Sequence, residues 1–247
     1  MHHIRVLNPA EGVYAFYDGR VDGCRFADGP NWVDGGALSL GIASYAVVAG
    51  ADAVVYDTHV SIEHARYVRR LLEDQGVRSF TVVLSHWHLD HVAGTTVFDD
   101  CEVVASERTD ELLRRFRPAI ERGEHEGPPA IDPLVLPTRT FRDRLALSLG
   151  GTALELIHTN IHSDDATVLW MPERRLLLCG DTMEDTVTYV GEPQNFGVHL
   201  TNLKVLSQLR AERILPNHGD PARKWIEFFE PYENVHRENL ETVLGAY

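Results

Sequence analysis

Residues 85–94 read Ser85-His86-Trp87-His88-Leu89-Asp90-His91-Val92-Ala93-Gly94, with three imidazoles and a carboxylate inside the six positions from His86 to His91. Directly before them runs Phe80-Thr81-Val82-Val83-Leu84, a β-branched, apolar segment that reads as a buried strand. A strand fixes the backbone of the first ligand, and the loop behind it lets several side chains converge on one point. Imidazole nitrogen and carboxylate oxygen suit zinc and its first-row neighbours. Crowding such groups on one short loop is costly without a cation or wide exposure to water. A purely structural zinc site would favour cysteine, and this loop has none.

Working outward, Ala53–Asp57 reads as a short buried strand, and Ser61 as the N-cap of a helix reaching about Gln75. In that helix Ile62, Ala65, Val68, Leu71 and Leu72 follow the 3.6-residue period, and Gly76 ends it. Before this unit, Val13–Tyr17 reads as a strand, and Ala37–Val48 as two strands or one long bent one. After it come a strand at 101–105 and a charged helix over Glu107–Arg122 closed by Gly123. Candidate strands then cover Arg139–Leu149, Ala153–Ile157, Thr167–Trp170 and Leu176–Cys179, with a hairpin turn at Met171–Arg174. A helix near 199–209, a strand at 213–215 and a helix over about 222–244 complete the pattern. Two strand-rich halves, each with helices, predict an α/β fold of the four-layer αββα sandwich type, with residues 1–247 as one domain.

Three more polar sites stand just past apolar strands: His162 after Leu154–Ile157, Asp181 after Leu176–Gly180, and His218 after Ile214–Asn217. Loops at one end of a sheet gather into a common crevice, so four such loops can meet. The run His-x-His-x-Asp-His, followed by His, Asp and His in strand-end loops, resembles the metallo-β-lactamase superfamily over nearly the whole chain. The resemblance implies that His86, His88 and His162 bind one metal, Asp90, His91 and His218 a second, and that Asp181 bridges them. The stretch His162–Pro172 resembles the zinc β-lactamases themselves. Those enzymes, however, carry Cys where this chain has Asp181 and a different residue at the position of His91, which implies a general hydrolase of the superfamily.

Two divalent cations sharing a water lower its pKa toward neutrality, and Asp90 is placed to orient the resulting hydroxide as well as to ligate. The reading is a hydrolase for a small ester, lactone, thioester or amide, with zinc expected and iron or manganese as alternatives. Two other readings stand beside it. One is a mononuclear iron dioxygenase acting on a thiol or persulfide through His86, His162 and Asp181. The other is a metal-binding protein without catalysis. The 29 residues after His218 leave room for one helix, an expectation that disfavours the helical substrate domain of glyoxalase II and flavin-bearing fusions.

Net charge is −14, and no Lys/Arg-rich run offsets it, which disfavours nucleic acid as a partner. No apolar stretch reaches the roughly 20 residues a bilayer span needs. With no secretory signal and only three scattered cysteines (Cys24, Cys101, Cys179), the expectation is a cytoplasmic protein with a small-molecule substrate, and a homodimer is the assembly its size class favours.

Around the site, Asp57 matches an acidic residue of the family, and reads either as an acceptor for an imidazole N–H or as a cap for the following turn. Asn217 reads as a donor to substrate or as a turn residue. Gly94 is expected to let the chain turn away from the loop, and Gly180 to allow close backbone approach. Trp87 should point away from its two neighbours' shared direction, into core or pocket wall. Tyr189, Phe196 and His199 are rim candidates, and Glu107–Pro129 a lid candidate. His59, His64, His125, His158, His199 and His236 read as structural or exposed, and His2 and His3 as frayed terminal residues.

Overall fold

A computed structural model describes residues 3–21, 26–184, 188 and 193–219. The helix expected over 222–244, and His2, Cys24, Tyr189 and His236, lie outside the described residues. Seven strands form one sheet in chain order: β1 (Arg5–Ala10), β2 (Val13–Asp18), β3 (Ile42–Ala49), β4 (Asp52–Tyr56), β5 (Ser79–Val83), β6 (Glu102–Ser106) and β7 (Arg139–Phe141). Its first four strands pair antiparallel and β4 to β7 pair parallel. The second sheet holds β8 (Arg144–Leu149), β9 (Thr152–His158), β10 (Thr167–Met171), β11 (Leu176–Gly180) and β12 (Arg213–Pro216), ordered β12-β11-β10-β9-β8. Only β11 and β12 in that sheet run parallel.

The segment expected as one strand over Arg139–Leu149 is two, divided at Arg142–Asp143 and belonging to different sheets. The expected strand start at Ala37 is also replaced. Val33–Ala37 form a π-helical turn that continues into α1 (Leu38–Leu40), and extended backbone begins only at Ile42. Ala and Leu serve either conformation, so composition alone did not separate them.

Alternation along the strands builds three cores. Val13, Ala15 and Tyr17 of β2, with Val54 and Tyr56 of β4, face Leu154, Leu156, Leu169 and Leu178 between the sheets. The intervening residues Phe16, Ala53 and Val55 face outward against Ala65, Val68 and Leu72 of α2 (Ile62–Asp74) and Leu113 and Ile120 of α4 (Glu107–Glu121). On the other side, Val168, Leu177 and Ile214 pack on Leu203 and Leu206 of α5 (Phe196–Ser207). Sheets buried on both faces explain why the strands read as near-continuous apolar runs. The architecture is the αββα sandwich. Among the described residues no helix is long and apolar enough to cross a membrane.

Tyrosines tie the layers at one end. Tyr17 donates to the Gly219 carbonyl at 2.7 Å, Tyr56 to the Thr167 carbonyl at 2.6 Å, and Tyr45 to the Pro216 carbonyl. Each ring fills the core while its hydroxyl meets a carbonyl at or just past a strand end of the facing sheet.

Ser61 caps α2 as expected, accepting from the His64 amide. The reading of Gly94 needs correction. Its φ of −94° is open to any residue, and what excludes a side chain is space. A Cβ there would lie 2.2 Å from the Thr58 carbonyl oxygen and 2.3 Å from the Ala65 Cβ. Gly94→Ala must therefore push α2 away from the loop, and a loss of about 2 kcal/mol is expected in urea unfolding.

His59 and His64 are structural, with rings stacked at 4.5 Å. His64 Nε2 lies 2.9 Å from the buried Asp18 carboxylate, which also accepts from the His3 and Gly19 amides. Burial by itself would raise the Asp18 carboxyl, but these partners, His64 foremost, hold it down at about 2. A folded value below the unfolded one of about 3.9 stabilises the fold fully above that pH, and the contribution is lost as pH falls toward 2. Asp18→Asn is expected to cost about 2 kcal/mol at pH 7, and the difference from wild type should shrink steadily in denaturation curves below pH 4.

Candidate metal centre

The parallel strands β4 and β5, and β11 and β12 opposite them, end at the same edge of the sandwich. His86 and His88 follow β5 directly, and Asp90 and His91 ride on the single turn α3 (Leu89–Val92). His162 lies in the loop after β9, Asp181 is the first residue past β11, and His218 follows β12 by two residues. The fold brings all seven candidate ligands together. His86, His88, His162 and Asp181 each offer a ligand atom within 4.8 Å of the others, and so do Asp90, His91 and His218.

Asp181 stands between the two groups. Its Oδ2 lies 3.7 Å from His86 Nε2 and 3.5 Å from His162 Nε2, and also 3.2 Å from His91 Nε2 and 3.3 Å from His218 Nε2. His162 Nε2 is 3.1 Å from His88 Nδ1, and His218 Nε2 is 3.1 Å from Asp90 Oδ2. Ligand atoms held tetrahedrally at zinc-like bond lengths sit about 3.3 Å apart, and the separations of 3.1–3.7 Å here are of that size. His86 Nε2 and Asp181 Oδ1 are buried and make no hydrogen bond, which agrees with donors meant for a cation.

Outer partners set which nitrogen faces the centre. His91 Nδ1 meets Asp57 Oδ2 at 2.8 Å, His86 Nδ1 meets Ser85 Oγ at 2.9 Å, and His218 Nδ1 meets the Gly41 carbonyl at 2.9 Å. Each contact turns Nε2 inward. Asp57 also accepts from the Ser85 amide and hydroxyl, both at 2.7 Å, so it is the imidazole acceptor of the first reading, and its partners lie past β5 and β12 rather than in the turn after β4. Asn217 is a scaffold residue, buried and donating to Asp57 Oδ2 at 2.6 Å. Asp57 and His162 both adopt left-handed backbone, at φ 65° and 70°, a conformation in which Asp and His are enriched among non-glycine residues. Gly180 adopts φ 55° with its Cα face on Ser85, and Gly41 adopts φ 79° where a Cβ would strike the Tyr17 hydroxyl.

Electrostatics divide the cluster. Burial pushes His86 and His88 down, and holds His162 at about 3. Burial alone would raise Asp90 and Asp181, but the His91 and His218 imidazoles hold both well below the usual carboxylate range. Against the same burial, these carboxylates lift His91 and His218 well above the usual imidazole value. The cluster thus offers ionised carboxylates and, at His86, His88 and His162, neutral imidazoles, while cations would displace the protons that the carboxylates hold on His91 and His218.

Trp87 packs against the core, one of the two places expected for it, stacked on Phe116 at 4.7 Å and tilted against His125 at 5.0 Å. Its amide donates to Asp165 at 2.9 Å, which ties this loop to the one carrying His162. Phe196 and His199 are buried in α5. A cavity of about 320 Å³ opens beside the candidate ligands, and Glu126 of the expected lid segment lines it. Sequence reading missed Trp32 and Glu184 on that wall and reached Glu126 only as part of the lid segment, because single loop residues carry no periodic signal. It also missed Ser85, whose place directly before His86 was the available clue.

Comparison with known proteins bears on the family and the fold. The Beta-lactamase-like protein 2 homolog of Caenorhabditis elegans is 27% identical over 194 residues, 78% of this chain and 60% of that protein. A linear primary-alkylsulfatase from Pseudomonas sp. is 24% identical, over 68% of this chain and 40% of its own. An atrochrysone carboxyl ACP thioesterase of Emericella nidulans is 24% identical, over 73% and 52%. The chain spans only about 40% to 60% of the length of these relatives. Among solved structures, a metallo-beta-lactamase from Pontibacter korlensis superposes with a TM-score of 0.72 at 17% identity, covering 97% of this chain and 99% of that one. The model of the metallo-beta-lactamase superfamily matches residues 39–218, and the chain belongs to that family.

Proposed function

We propose that the protein is a metal-dependent hydrolase that cleaves a small ester, lactone, thioester or amide at a dinuclear centre, with zinc as the metal. The observation that carries this reading is Asp181 Oδ2, within 3.2–3.7 Å of imidazole nitrogens from both candidate groups. When bound, two divalent cations would supply hydroxide at neutral pH and polarise the scissile carbonyl. The rest falls to the chain. Asp181 holds the two groups at one oxygen. Asp90 lines the cavity beside His218, where its carboxylate can orient the attacking water and receive its proton. Trp32, Ala37 and Leu40 supply an apolar wall against which the substrate can lose its water.

Relatives named as a thioesterase and an alkylsulfatase support hydrolysis as the reaction type. Asp181 in place of a cysteine supports a general hydrolase over a β-lactamase.

The test is a hydrolysis screen over lactones, thioesters, carboxylic esters and β-lactams, with metal content measured on the same sample. Two metal ions per chain are expected, with turnover of one acyl class lowered at least about 100-fold in Asp90→Ala. One iron per chain, with oxygen consumed on a thiol substrate, would overturn the reading. The outer partners give a separate expectation. Asp57→Ala should weaken metal affinity about 10- to 100-fold in a chelator competition, since His91 then loses the acceptor that orients it.

A further inference from the structure

The charge on the cavity wall bears on what can enter it. Five of the seven candidate ligands line this space, and the remaining wall is apolar apart from the carboxylates of Glu126 and Glu184. No lysine or arginine is among the described residues that line it. Among the described residues a carboxylate-bearing substrate would thus find no basic side chain to seat its charge, and would face two acidic ones instead.

Glu126 is held at this position from both sides. Its neighbour His125 packs on Trp87, the residue between His86 and His88, with ring centroids 5.0 Å apart. Beyond it, the Pro129 carbonyl accepts from Trp32 Nε1 at 3.0 Å and the Pro128 carbonyl from the Trp32 amide at 3.3 Å. The loop therefore joins the metal-site loop to the apolar wall. Nearby acidic side chains are spent on arginines: Asp110 on Arg114, Glu121 on Arg117, Glu124 on Arg122. Among the described residues Glu126 has no arginine or lysine partner, and its neighbour at 3.7 Å is the His125 imidazole, which burial pushes toward the neutral form. Its side chain is half-exposed, so its charge is available to an incoming group.

We propose that Glu126 is a specificity-determining residue that seats a cationic group of the substrate, so that the cavity takes amine-bearing esters or amides and rejects carboxylate-bearing ones. This rests on the hydrolase reading above and narrows its substrate class.

Small thiols test it without turnover, because a thiol binds the same metal and holds no scissile bond. Dissociation constants of 2-aminoethanethiol, 3-mercaptopropionate and ethanethiol are measured by calorimetry on zinc-loaded wild type, Glu126→Gln and Glu126→Lys. The readout is the change in the amine-to-carboxylate affinity ratio on substitution, which cancels the thiols' different acidities. That ratio is expected to fall about threefold in Glu126→Gln and at least about tenfold in Glu126→Lys, with ethanethiol affinity held within about twofold. A ratio unmoved in both variants overturns the role of Glu126 and leaves the hydrolase reading standing. Protein that takes up no zinc, or binds none of the thiols, overturns both.

Discussion

The buried carboxylate of Asp57 is the contact on which the site end of the molecule depends. It stands at the end of β4 and accepts from Ser85 past β5, from His91 on α3, and from Asn217 past β12. One anion thereby fixes three strand ends drawn from both sheets. A buried carboxylate is tolerable only when its lone pairs are filled, and here four donors fill them. Their placement follows from the strands behind them: β4 and β5 pair in parallel, which brings their C-terminal ends side by side. The Asn217 amide and carbonyl continue the same bracing, bonding to the Gly180 carbonyl and to the Ala43 amide. The candidate ligands next to these residues inherit positions set by backbone that is itself pinned.

Charge within the cluster is organised by the same proximity. Seven ionisable side chains share one small volume, and they sort into three neutral imidazoles and two carboxylate–imidazolium partners. Desolvation acts on all of them, and the sign of each net shift is decided by whether the neighbouring carboxylates outweigh that cost together with the facing imidazoles. His91 touches Asp57, Asp90 and Asp181, whereas His86 has imidazoles on three sides and one carboxylate, Asp181 at 3.7 Å, against them. The two histidines are equally buried and shift in opposite directions for that reason.

Much of this was legible in the sequence because the candidate ligands each follow an apolar strand, and strands buried on both faces leave long hydrophobic runs. The helix caps at Ser61 and Gly76 were legible for the same kind of local reason. What escaped were contacts and breaks without a local signature. Arg142–Asp143 divides two strands with neither glycine nor proline, so the alternation reads straight through the change of sheet. The partner of His218 Nδ1 is a backbone carbonyl 177 residues away, invisible to any window. Asn217 offered two roles, and the choice between them depended on Asp57 arriving from another strand. Glu126 and Trp32 gained their significance only from the cavity they share.

The passage between sheets at Arg142–Asp143 has a consequence for the chain as a polymer. Each sheet is a single continuous length, residues 5–141 and 144–216, so the covalent link between them is one short step. The candidate ligands are divided across that step. His86 and His88 meet His162 and Asp181, and Asp90 and His91 meet His218. An ion held by either group would stitch one half of the chain to the other, much as a disulfide closes a long loop, at a separation of 74 residues between His88 and His162. Ion affinity at such a seam is at the same time cohesion between the two sheets.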